Sequence, residues 1–380
     1  MKFTCARPTL LKSLQLFSHA LDKRSSDSHA LHYAIGMSTH QDHLTLRATT
    51  HDQHFHVTVP ATILMEGQTI LPFDVILEFI KTISHKTLTL SIATIKGKNQ
   101  IQAESSQLIL PPVEADWSLL APPLPDGTPA QCNIPINVLT CLLEPVLSSV
   151  AKENGRYLLQ AVQVQVLPTE PPTLIAVGTD GQRLTRITQE TGSWITKPKQ
   201  PETALIPKRT ARLLVETARQ IKDDITVSLT LTTSTWIFLF PDGEIRTQNL
   251  SGAFPNYMAI MPQRLSPTVK FSRAALIEAL RRMEAISDPI SHAVNIKVNE
   301  SELSLSTVNA QVGEAHECVE ATIQDSSMTL GFNGKFLLDG LGTTEAKHIE
   351  WSMDSPTAPC VMISSEDPHW THVLMPVRMS

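Results

Sequence analysis

The chain has 380 residues, is 42% hydrophobic and carries a formal net charge of −6. That length supports several buried cores, and the negative charge excludes a protein that coats nucleic acid through its overall charge. Aromatic residues make up only 5%, which leaves Leu, Ile, Val and Ala to fill those cores. Cys5, Cys132, Cys141, Cys318 and Cys360 stand far apart with no CxxC pair, a pattern of reduced thiols rather than a disulfide framework. The opening MKFTCARPTLLKS has no long apolar run, and no stretch of about 18 apolar residues occurs, so a soluble, cytoplasmic protein is expected.

In chain order, Phe3 to Leu21 reads as a strand-like triplet followed by an amphipathic helix, with Leu10, Leu11, Leu14 and Phe17 at helical spacing. Leu71-Pro72 opens a second helix, DVILEFIKTI, and Thr87 to Thr94 alternates like a strand. The same order returns twice. Cys132 to Val150 carries Val138, Leu139, Leu142 and Val146, then Ile206-Pro207 opens KRTARLLVETARQI before the strand Ile225 to Leu231. Val269 to Ile286 carries Leu276, Ile277, Leu280 and Met283, then Phe332-Asn333 opens GKFLLDGL before His348 to Met353. Pro suits the first turn of a helix, and Asn333 suits an N-cap.

Proline marks the boundaries. Leu110 to Pro129 holds six prolines and predicts a stiff extended connector, and Phe254-Pro255-Asn256-Tyr257, Pro262 and Pro267 mark a second. The repeat predicts an α+β protein of three similar domains, 1–120, 130–252 and 266–380, each with two helices on antiparallel sheets.

Gly155 to Ile187 is the most distinctive stretch. Tyr157 to Val166 and Leu174 to Val177 read as a strand hairpin. The second strand runs into Gly178-Thr179-Asp180-Gly181, where glycine permits positive φ and Asp180 can accept from its own backbone. Asp180 beside Arg183 raises the alternative of phosphoryl-transfer chemistry. Against it, no Walker glycine run, no GxSxG and no carboxylate cluster at ligand spacing is present. No catalytic residue is assigned. His54 and His56 share a strand face in a histidine-rich first domain, but no third fixed ligand accompanies them, so no metal and no cofactor is expected.

Five segments then carry a resemblance: Arg156-Tyr157-Leu158-Leu159; Thr179-Asp180-Gly181-Gln182-Arg183-Leu184; Phe254-Pro255-Asn256-Tyr257; Gly331-Phe332-Asn333 with Leu337-Leu338-Asp339; and Val373-Leu374-Met375-Pro376-Val377-Arg378-Met379. With these in order along a threefold repeat, the chain resembles the bacterial DNA polymerase III β subunit, the sliding clamp family. The resemblance implies a DNA clamp fold, a ring of two head-to-tail subunits around duplex DNA. The implied function is that of a non-catalytic processivity factor for DNA replication that tethers polymerase, with clamp loader and repair proteins docking through short linear peptides. The alternative is a clamp paralogue serving as a DNA-bound scaffold in repair, plasmid replication or inhibitor resistance.

The resemblance assigns a partner-peptide pocket between domains 2 and 3 to Leu159, Thr179, Gly181, Gln182, Leu184, Pro255, Ile260, Val373, Met375, Pro376, Val377, Arg378 and Met379. Met258-Ala259 stands where relatives carry a polar or basic pair, and Ser380 extends the tail. DNA-facing cations are expected at Lys12, Lys23, Arg24 and Lys81, at Lys208, Arg209, Arg212, Arg219 and Lys222, and at Arg273, Arg281, Arg282 and Lys335. The homodimer interface is expected to place Phe79, Ile83 and Leu108 against Ala285 and Ile286 of the other subunit.

Overall fold

The computed structural model describes residues 1–21, 30–120, 129–152, 156–221, 224–261, 269–323, 328–353 and 355–377. These form two compact units. The first comprises Met1–Thr140, Glu170–Pro172 and Thr191–Leu250, and the second Cys141–Thr169, Thr173–Glu190 and Ser251–Ser380. Six α-helices occur among the described residues: α1 Arg7–Phe17, α2 Phe73–Thr82, α3 Ile136–Leu147, α4 Lys208–Gln220, α5 Arg273–Glu284 and α6 Gly334–Leu341. None is long and apolar enough to cross a membrane.

The threefold repeat is visible in the strand-to-helix junctions. Lys2–Ala6, Ala130–Pro135 and Val269–Ser272 each run directly into α1, α3 and α5. The first amide of each of these helices has no partner within its own helix. It is satisfied in the same way each time, with Arg7, Ile136 and Arg273 donating to the carbonyls of Lys86, Ile225 and Lys347, all at 2.9 Å. Two of those first residues also cap the second helix of their repeat. Arg7 reaches the carbonyls of Ile80 and Lys81 at the end of α2, and Arg273 reaches Leu341 at the end of α6. A guanidinium at a helix C-terminus offsets the exposed carbonyls and the negative end of the dipole. The middle copy has apolar Ile136 here and lacks this cap.

Among the described residues of the first unit, thirteen strands form one antiparallel sheet whose main path runs from Ser193–Thr196 to Ser106–Leu110. Its core includes Phe17, which packs against Phe55 and Phe73 at ring distances of 4.4 and 6.4 Å. In the second unit, strands pair along a continuous path from Ala161–Leu167 to Met328–Asn333, with the last strand before the C-terminus, Trp370–Leu374, between Arg183–Glu190 and Cys360–Ile363. Asn333 caps α6 through its side chain, accepting from the amide of Phe336 at 3.0 Å.

Three sequence expectations change locally. Tyr157–Gln160 is a 3-10 turn, and the strand begins only at Ala161; Tyr157 is exposed while Leu159 is buried, and a hydrogen bond from Leu159 to the Arg156 carbonyl tightens the chain. Gly178 is needed for space rather than for positive φ, because a Cβ there would lie 2.3 Å from the Val146 carbonyl oxygen of α3. The first proline-rich connector is not wholly extended, since Trp117–Leu120 forms a 3-10 turn that buries Leu120.

Candidate functional site

The turn between Thr173–Thr179 and Arg183–Glu190 is built from its own sequence. Thr179 Oγ1 donates to the Arg183 carbonyl at 2.6 Å and accepts from the Gly181 amide at 3.1 Å. Asp180 Oδ1 accepts from the amides of Gln182 and Arg183 at 3.0 and 3.1 Å. Gly181 takes φ +92°, a value that glycine adopts without a Cβ penalty. Asp180 is thereby committed as an acceptor within the turn.

Strand register then brings distant residues into one row. Thr179 pairs with Leu184, Leu184 with Val373, and Val373 with Val361. Side chains on a strand alternate faces, so this row defines one face of the sheet. Leu184, Val361 and Val373 join Ile175 and Val177 in a buried apolar cluster, against which Phe254, Tyr257, Met261 and Ile363 pack partly buried. The chain continues past Val373 along the same line. Met375 donates its amide to the Gln182 carbonyl at 2.9 Å, and Val377 donates to the Gly331 carbonyl at 2.8 Å. Around this line Met375 and Pro376 are half-buried, while Pro255, Met258, Ile260 and Val377 are exposed. The result is an accessible apolar surface bordered by a glycine turn whose amides are bonded within the turn itself.

The opposite face is a locked polar network. Arg183 is 8% exposed, and its guanidinium reaches Asp180 at 3.0 Å and Asp339 of α6 at 2.6 Å while lying 4.1 Å from the centre of the Phe336 ring. Two residues along each strand, Thr185 Oγ1 bonds His372 Nδ1 at 2.9 Å and Ser149 Oγ at 2.7 Å. His372 is fully buried, stacks parallel to Trp370 and touches Gly340, where a Cβ would lie 2.5 Å from its ring. Desolvation, reinforced by the Arg183 charge, pushes the imidazole down to about 3. It is neutral, and Nε2 has no hydrogen-bond partner among the described residues. A bare lone pair is the cheaper atom to leave there, which favours the proton on Nδ1.

Comparison with known proteins interprets this geometry. Family models of the DNA polymerase III beta subunit match the chain at both ends, the N-terminal domain over residues 1–117 and the C-terminal domain over residues 258–378. The chain belongs to the DNA polymerase III β subunit family. Similarity to a beta sliding clamp of Caulobacter vibrioides spans 100% of both chains at 27% identity, and a Treponema pallidum beta sliding clamp matches over the same extent at 21%. The crystal structure of the Caulobacter crescentus DNA polymerase sliding clamp superposes with a TM-score of 0.86 at 25% identity, covering 100% of each chain. The griselimycin-bound sliding clamp of Bartonella birtlesii shares the fold at a TM-score of 0.88 and 20% identity, again over 100% of each chain.

Against this β subunit framework, the pocket residues expected from sequence all belong to the second unit. Leu159, Thr179, Leu184 and Val373 are buried, Gly181 and Gln182 are exposed at the turn, and Arg378 and Met379 lie outside the described residues. Sequence reasoning omitted Ile175, Val177 and Val361 from the cluster. Their alternation in short strands was the available signal, but the pairing partners were not.

The expected DNA-facing cations divide by environment. Arg212 on α4, Arg281 on α5 and Lys335 on α6 are exposed. Lys81 pairs with Glu78 at 2.6 Å, Arg219 with Glu216 at 2.9 Å, and Arg209 lies 3.7 Å from Asp52. Lys12 donates to the Gln220 carbonyl at 2.7 Å, and Lys208 is half-buried at the start of α4. Arg282 makes a two-pronged contact with Glu317 at 2.6 and 2.9 Å, which raises its own pKa and lowers that of the glutamate. Exposed pairs of this kind hold weakly and exchange partners readily. Arg273 differs, since its fork is occupied by the Leu341 carbonyl and Glu345. Lys23, Arg24 and Lys222 lie outside the described residues.

Phe79 and Ile83 are half-buried at the end of α2, and Leu108 is half-buried on Ser106–Leu110, which ends the first unit's sheet path. Ala285 is exposed and Ile286 half-buried after α5. Nearby Ile109 and Ile290, which sequence reasoning passed over, are more open, at 57% and 89% exposed.

Proposed function

We propose that the chain, a DNA sliding clamp by family, works as a head-to-tail homodimer of three-domain subunits, 1–120, 130–252 and 266–380, that closes around duplex DNA. Encirclement tethers a replicative polymerase without chemistry of its own. The tether keeps a dissociated polymerase at high effective concentration beside the primer end, so that rebinding is intramolecular and needs no fresh encounter from solution. A net charge of −6 is compatible with this task, because sliding requires weak, exchangeable phosphate contacts rather than tight ones. Arg212, Arg281 and Lys335, with the loosely paired Lys81, Arg219 and Arg282, supply them. The cytoplasm, where the chromosome is replicated, is the place of action.

The observation that carries the reading is the similarity to sliding clamps over the whole length of both chains. The surface around Leu184, Val373, Met375 and Pro376 supports the partner site. It presents apolar side chains, with adaptable Met375 and Met258, beside a turn of fixed shape, a combination suited to a short apolar peptide. Polymerase, clamp loader and repair proteins would share this surface through short apolar motifs.

The test is to load the full chain onto primed circular DNA with a bacterial clamp loader. Retention on the circle that disappears when the DNA is linearised is the expected result, together with longer products from the cognate polymerase. A protein never retained on circles overturns the reading. Met375→Ala combined with removal of residues 377–380 should abolish binding of a polymerase tail peptide while leaving the dimer intact.

A further inference from the structure

In the first unit the strands His43–Thr49, Gln53–Met65 and Gly243–Gln248 lie side by side. Their register places two polar rows on one face. Arg47 pairs with His56 and His56 with Glu244; two residues along, Thr49 pairs with His54 and His54 with Arg246. With Phe55 and Leu120, the charged and imidazole members of these rows line a cavity of about 110 Å³. That is the space of three or four waters at ~30 Å³ each, enough for a tetrahedral oxyanion. None of these residues belongs to the partner surface or to the helix cations discussed above.

The charges inside are unevenly satisfied. Arg246 is ion-paired with Glu244, both sides being largely buried. Arg47 lies 5.9 Å from the Trp117 ring centre, and no hydrogen-bonded or ion-paired acceptor faces its guanidinium among the described residues. A half-buried fork with five donors and only an aromatic face for company is unusual, because lost hydration is normally replaced by an acceptor. Two arginines against one glutamate leave the cavity a net cation. A metal ion would be repelled there, and no group of three or more ligating side chains able to hold one occurs among the described residues.

We propose that this cavity is a binding site for a phosphoryl group, with Arg47 as the principal donor and His54 and His56 as its partners across the strands. Thr49 Oγ1 contacts His54 Nδ1 at 2.6 Å and fixes that ring. Burial lowers the pKa of both imidazoles. For His54, Arg246 adds to the effect and Glu244 opposes it; for His56, Glu244 opposes while Arg47 and Arg246 add. Without an anion beside them the two rings are therefore favoured in their neutral forms. A dianion between them favours their protonated forms, so binding takes up protons and tightens as pH falls.

The experiment uses the full chain and inorganic phosphate, followed by calorimetric titration and by melting temperature against chloride at matched ionic strength. Phosphate should raise the melting temperature and bind more tightly at pH 6 than at pH 8. Arg47→Gln should weaken binding by about tenfold, the scale of one charge-assisted hydrogen bond, while melting normally in chloride. Should Arg47→Gln fail to fold, Arg47→Lys, which keeps the charge and loses the fork, should weaken binding, and His56→Gln should flatten its pH dependence. Absence of any phosphate effect, or unchanged affinity in a folded Arg47 variant, overturns the proposal. A nucleoside 5′-monophosphate binding much more tightly than inorganic phosphate identifies a nucleotide as the source; equal binding identifies free phosphate.

Discussion

Arg183 in the second unit and Arg47 in the first are both arginines set into a sheet beside an aromatic ring, and they differ in everything else. Arg183 is 8% exposed, holds two carboxylates and lies 4.1 Å from the Phe336 ring centre. Arg47 has its ring contact with Trp117 and a cavity in front of it. A guanidinium whose donors are filled by its own chain is a fixed post that sets the spacing of the strands around it. One whose donors face a cavity, with no acceptor of its own chain among the described residues, is available to something else. The same distinction separates Arg273, committed to the end of α6, from the exposed Arg281 and Lys335.

The comparison is broken most forcibly at its saturated end. Arg183→Met leaves Asp180 and Asp339 without their shared cation beneath the partner surface, and removing one partner of a buried network costs about 3 kcal/mol. Chemical denaturation of the full chain measures this; a loss below about 1 kcal/mol would place Arg183 with ordinary surface arginines. The next effect is read by pH. His372 is lowered from 6.5 to about 3 in the folded chain, so the unfolded state binds its proton first. Stability from this group is complete above 6.5 and falls as pH drops from 6.5 towards 3, by up to about 1.4 kcal/mol per unit. His372→Gln should flatten that part of the stability profile, and an unchanged slope would show that other groups carry it. The smallest effect is expected at the exposed pair. Arg282→Gln, which frees Glu317, should leave the melting temperature within experimental error, and a clear loss would erase the distinction between exposed pairs and the buried network.

Much of the fold was legible because its signals are local. Helical spacing at Leu10, Leu14 and Phe17, and at Leu276, Leu280 and Met283, follows directly from 3.6 residues per turn. The cap at Asn333 follows from chemistry confined to a few residues, whereas Pro72 and Pro207 end their strands one residue before α2 and α4 and make no side-chain cap. The turn after Thr179 was readable for the same reason, as Asp180 and Gly181 act on neighbours two or three residues away. Tyr157–Gln160 misled because an apolar run resembles a strand until one knows that Tyr157 faces solvent and Leu159 the core.

The candidate surface was only partly legible. The residues from Thr179 to Leu184 and from Val373 to Val377 were nameable through family resemblance, but Val361 was not, since nothing near it in sequence marks it, and Phe336, although inside the predicted helix GKFLLDGL, gave no sign of its contact with Arg183. Arg47 and Arg246 were likewise invisible as a pair, although His54 and His56 stood out as residues sharing a face.

By itself, then, the sequence determined the order of helices and strands, their threefold recurrence and the turn at Asp180, all set by backbone propensity and side-chain reach over a few residues. Only the tertiary structure decided which strands became neighbours. Alternation says which face a side chain takes, but not what lies beside it. Leu184 meets Val373 and Arg47 shares a row with Glu244 because whole sheets pair in one register, and both surfaces exist only once that register is set.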